Sequence, residues 1–112
     1  MPSINISDVM DFLVDRRAAS LPPEGLAEIL TSMAWSLDEQ ANVLPVARGW
    51  LGGDDEYRAA VALWIDDFFP ADSRAGLVAV AEDMESRFPA LAERAREWIR
   101  RWDAAHEAAR SR

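Results

Sequence analysis

Few side chains in this sequence are equipped for chemistry. One residue is a histidine, none is a cysteine, and all twelve basic residues are arginine. Without a thiolate there can be no disulfide, no cysteine nucleophile and no thiolate zinc site. Asp103-Ala104-Ala105-His106 has the carboxylate-x-x-His step of di-iron bundles. Such a centre takes two of these steps and a carboxylate from each of two further helices. One step is present, near the end of the chain, so His106 reads as a surface residue and neither a metal nor a cofactor is expected. Two acid clusters, Asp54-Asp55-Glu56 and Asp66-Asp67, look like candidates for acid–base work. Neighbours on a helix point about 100° apart, so neither cluster converges on one reacting atom. The first cluster suits a helix N-terminus, where negative charge is favoured. There is no G-x-S-x-G, P-loop, G-x-G-x-x-G or EF-hand spacing, and no lysine, serine or threonine follows Gly52-Gly53. The chain reads as a protein that binds rather than catalyses.

Five tryptophans is a high number for 112 residues. Trp64, Trp98 and Trp102 fall on apolar helix stripes and read as packing residues. Trp35 and Trp50 do not fit a stripe as well, and tryptophan is enriched at binding hot spots because it buries a large area with few rotatable bonds. Trp50-Leu51-Gly52 is a W-x-G at mid-chain, which resembles the turn of the W-x-G hairpin family of secreted helical proteins. That resemblance implies two long helical arms. Here Pro22-Pro23, Pro45, Pro70 and Pro89 interrupt both arms, and Tyr57 is followed four positions on by Val61 instead of the acid of that family's export motif. The family is therefore set aside.

The stretch Asp55–Phe69 organises the rest. Tyr57, Val61, Trp64 and Phe68 form a stripe at helical spacing, widened by Ala60, Leu63, Ile65 and Phe69. A helix this apolar belongs inside the fold. Gly52-Gly53 ends what precedes it, Asp54 can cap it, and Pro70 forbids its continuation. Before it, Ser7 or Asn5 can cap a first helix to about Ala19, packing through Val9, Phe12 and Leu13. Pro23 can open a second helix to about Gln40, with Leu26, Ile29, Leu30, Met33 and Leu37 inward. Residues 41–51 suggest a short helix that begins, or kinks, at Pro45. After it, Asp72 or Ser73 can cap a helix to about Arg87 through Leu77, Ala81 and Met84. Pro89 opens the last helix, about 89–108, with Leu91, Ala95, Trp98, Ile99, Trp102 and Ala105 along one face. No strand pattern competes. The expected fold is all-α: one domain, residues 1–112, a bundle of five to six short helices around the apolar helix near 55–69.

The formal charge is −8 and the isoelectric point about 4.5, which argues against a grip on nucleic-acid phosphates. No apolar run is long enough for a membrane span, and the N-terminus lacks the pattern of a signal peptide. A cytoplasmic location is expected, and arginine without lysine suggests a high-GC bacterial genome. Residues 1–86 hold five arginines against sixteen acids and residues 87–112 seven against four. The basic last helix can answer the acidic body in its own chain or in a second copy. These features point to a small acidic module that binds a basic protein, of the immunity or antitoxin-type inhibitor class, through Trp35, Trp50, Asp54, Asp55, Asp66 and Asp67. A homodimer through the last helix, and a small-ligand binder or enzyme with a tryptophan-lined pocket, are the alternatives.

Overall fold

In the computed structural model, which describes residues 6–17, 20–38, 40–66 and 68–110, the fold is all-α. Six helices follow one another: α1 (Ile6–Asp15), α2 (Pro23–Leu37), α3 (Gln40–Leu51), α4 (Glu56–Trp64), α5 (Arg74–Arg87) and α6 (Ala92–Arg110). A 3-10 turn, Pro89–Leu91, leads into the last, and there is no strand among the described residues. The chain falls into two compact units, Met1–Phe68 and Phe69–Arg112.

In the first unit α4 packs against both α2 and α3, and α1 packs against α3. Five consecutive residues of α4, Ala59 to Leu63, are buried, as is Ile65 just beyond it, so its apolar circumference has the interior place its sequence requires. It is shorter than its pattern suggests. It ends at Trp64, with Ile65 extended at φ −75°, ψ 111°. Asp66 and Asp67 would set two negative charges at the negative end of the helix, and Pro70 has no amide hydrogen to extend it. The helix is capped by Asp55, whose carboxylate accepts from the Arg58 amide at 3.2 Å, and not by Asp54.

The faces of α1 and α2 are rotated from the expected ones. α1 buries Ile6, Met10 and Val14 at i, i+4 and i+8, leaving Phe12 exposed. Ser7 lies inside its first turn, while Asn5 and Ala19 lie outside the described residues. α2 buries Leu26, Ala27, Leu30 and Ala34 and turns Ile29 and Leu37 outward. The small residues Ala27 and Ala34 take the inner face, which allows a close approach to α4. The helix stops at Leu37, with Asp38 left-handed at φ 56° and its amide donating back to the Trp35 carbonyl at 3.3 Å. α3 starts at Gln40 and runs through Pro45. That proline is exposed, and it removes one backbone hydrogen bond from the helix. The helix ends where Gly52 and Gly53 donate to the Gly49 and Trp50 carbonyls at 3.2 Å each.

In the second unit α5 and α6 pack on each other and on the 3-10 turn between them. Ser73 caps α5, accepting from the Gly76 amide at 3.0 Å. Leu77, Ala81 and Met84 face Ala92, Ala95 and Trp98 as the buried residues of the two helices. Phe69, expected on the central helix, belongs to this unit and sets its ring edge-on to Trp98 and Trp102, at centroid distances of 5.5 and 5.2 Å.

Two glycine-to-alanine changes separate helix propensity from close packing. A methyl at Gly49 would meet nothing within 4 Å, whereas one at Gly76 would lie 2.8 Å from the Ala71 methyl and 3.2 Å from the capping Ser73 hydroxyl. Gly49→Ala is expected to stabilise by about 0.5–1 kcal/mol, and Gly76→Ala to destabilise by about 1–2 kcal/mol, in urea melts followed by circular dichroism.

Candidate partner-binding surface

The acidic residues of the first unit divide into those its own fold uses and those it presents. Arg58, on α4, is the pivot. Its Nε lies 3.2 Å from Asp11 and one terminal nitrogen 2.9 Å from Asp15, both on α1; the other is 2.6 Å from Asp55. The guanidinium also lies 5.8 Å from the centre of the Trp50 ring. Burial works against its charge, but the hydrogen bonds it donates to Asp15, Asp55 and Asp11 outweigh it and raise the arginine's pKa above its ordinary value. Burial likewise pushes the Asp55 carboxyl up. The Arg58 amide and guanidinium more than offset this, and hold it below the ordinary 3.8. Of the residues expected at a partner interface, Asp55 is thus engaged as cap and ion-pair partner. Trp50, 9% exposed, belongs to the core.

Next to this hub, Tyr57 donates its hydroxyl to the Leu21 carbonyl at 2.9 Å, and the Arg17 guanidinium sits 3.8 Å over its ring. These contacts fix the Leu21–Pro22 turn, and with it the start of α2. The outward face of α2 carries Glu24, Glu28, Ile29, Ser32 and Trp35, all exposed. An open groove of about 320 Å³ runs between this face and the end of α4, lined by Pro22, Glu24, Gly25, Glu28, Trp64 and Asp66. A second, shallower groove continues past Gly25 and Glu28 to Ile29 and Ser32. Trp35 is 63% exposed and Asp54 is exposed. Asp67 lies outside the described residues.

The sequence pointed to Trp35 and Asp66 but not to Glu24, Glu28 or Ile29. Ile29 was assigned to the core stripe. The available signal was the small-residue spacing Gly25, Ser32 and Ser36, which marks a helix face with nothing large to bury.

In the second unit the basic residues of α6 answer acids close at hand. Arg100 bridges Glu93 and Glu97 at 2.7 Å each, Arg96 lies 3.4 Å from Glu93 and 3.6 Å from Glu85, and Arg101 is 3.7 Å from Glu97. The Arg94 and Arg101 guanidiniums lie on the buried Trp98 ring, 5.5 and 4.9 Å from its centre. Asp103 pairs with Arg74 at 2.8 Å, and His106 stacks on Trp102 with its Nδ1 2.9 Å from the Trp102 carbonyl. The Asp103–His106 step is therefore occupied by structural contacts, and no group of three potential ligands placed to hold a metal occurs among the described residues.

Divided where the structure divides, residues 1–68 carry four arginines against twelve acids, and residues 69–112 carry eight against eight. The whole net charge of −8 thus belongs to the first unit. No described helix is long and apolar enough to cross a membrane. Comparison with protein families, with characterised proteins and with solved structures finds no match.

Removing the pivot leaves three carboxylates facing one another. Arg58→Met is expected to destabilise by about 2 kcal/mol in urea melts. Asp55→Asn keeps a capping side chain while removing the charge. Because the folded carboxyl titrates below its ordinary value, its stabilising contribution is whole above that value and lost as the pH falls through the lower one. The stability gap between wild type and Asp55→Asn should be widest at pH 7 and shrink as the pH falls below the ordinary 3.8.

Proposed function

We propose that this chain is a small acidic module that works by binding a basic protein, with the binding surface on residues 1–68. The observation that carries this reading is the charge partition. The first unit holds the entire net charge of −8, and on it Ile29 and Trp35 are exposed at 48 and 63% on the helix that carries the exposed Glu24 and Glu28. Large apolar side chains set among like charges suit a complementary surface with a basic rim and apolar anchors. A field of one sign also speeds the encounter with an oppositely charged partner. A cytoplasmic inhibitor of the immunity or antitoxin kind, covering a basic partner's working face, is the form of this function that best suits the size and charge. The last helix, whose arginines answer acids of their own unit, gives no comparable support to a dimer arm.

The test is affinity capture of the tagged full chain from its native lysate at 50 and 500 mM salt, in parallel with a variant in which Glu24, Glu28, Asp54 and Asp66 are reversed to lysine. A stoichiometric basic protein retained at low salt, released at high salt and lost by the variant is the expected result. Retention insensitive both to salt and to charge reversal would sink the electrostatic reading.

A further inference from the structure

The two grooves of the first unit share Gly25 and Glu28, so they form one channel along the outward face of α2. At its deeper end Trp64 and Pro22 make an apolar wall, with Glu24, Glu28 and Asp66 around it. At the shallower end lie Ile29 and Ser32. A volume of about 320 Å³ at the Trp64 end lies at the lower limit for small-molecule pockets, and it is open. That suits one inserted side chain better than an enclosed ligand.

We infer that this channel takes an arginine side chain from a basic segment of the partner, placed against the Trp64 indole between Glu24, Glu28 and Asp66, while an apolar residue of the same segment covers Ile29. The inference rests on the reading of the chain as a binder of basic protein and specifies where and how it binds. A guanidinium is planar and weakly hydrated. It stacks on an indole face while its edge donates to carboxylates in pairs, a combination that lysine's compact ammonium does not reproduce. A second copy of this chain is a poor occupant, because a two-fold contact through this face would set its glutamates against one another. The arginines Arg96, Arg100 and Arg101 already answer acids of their own unit.

The test uses the 15N-labelled full chain and an acetylated six-residue peptide of alternating arginine and leucine, with lysine and citrulline versions for comparison. The expected result is a shift of the Trp64 indole N–H and of the amides from Glu24 to Ser32. The lysine peptide should bind several-fold more weakly and the citrulline peptide should leave the spectrum unchanged. Glu24, Glu28 and Asp66 are exposed, so the triple variant E24Q/E28Q/D66N keeps the core intact and should weaken the arginine peptide tenfold or more. Shifts spread evenly over the acids of residues 1–68, or undiminished in the triple variant, would overturn the channel and leave the acidic-module reading standing. A localised, variant-sensitive shift supports the channel even if capture yields no salt-sensitive partner, a result that would tell against the module reading alone.

Discussion

The first unit depends on how one guanidinium is satisfied. Arg58 projects from α4, the helix with five consecutive buried residues, and joins two carboxylates of α1 to the cap of its own helix. A lone charge at this position would be costly to desolvate, and three carboxylates without it would repel one another. Together they fix α1 relative to α4 and hold the Trp50 ring in the core. The Arg17–Tyr57–Leu21 contacts carry the same constraint to the start of α2. The outward face of α2 is thus a consequence of the hub, since a helix with Ala27 and Ala34 inward has nowhere to place Ile29 but outside.

That arrangement gives the charge its functional sense. Asp11, Asp15 and Asp55 pair with Arg58, and Glu24, Glu28, Asp54 and Asp66 are exposed. The second unit is neutral and internally paired. It resembles a self-contained support, with Phe69, Trp98 and Trp102 as its aromatic core. The net charge of the chain thus divides between an acidic unit and a neutral one.

Helix class and number were legible in the sequence because prolines, glycines and caps punctuate it. Ser73 capping α5, Pro23 opening α2 and Gly52-Gly53 closing α3 were all read from local chemistry. The misreadings concern which face points inward. In α2, Leu26 and Leu30 lie inward as their spacing suggests, but Ala27 and Ala34 complete the buried face and leave Ile29 outside it, while Leu37 shares the stripe and is exposed as the last residue of the helix. α3 starts at Gln40 and not at Pro45, because the one backbone hydrogen bond a proline removes inside a helix can be outweighed by the packing of the rest. The exposure of the residues expected at an interface was legible in part. Trp35 and Asp66 are presented, whereas Trp50 and Asp55 serve the fold, because an acid's role depends on an arginine that sequence distance hides. Asp11 and Arg58 are 47 residues apart.

The most direct test of the proposed assignment of binding to the acidic unit is hydrogen–deuterium exchange of the full chain, alone and with a basic protein recovered by salt-sensitive capture. Protection should appear in residues 21–37 and 64–66, with residues 74–110 unchanged. Protection concentrated on α5 and α6, with α2 left exchanging freely, would contradict the assignment of binding to the acidic unit.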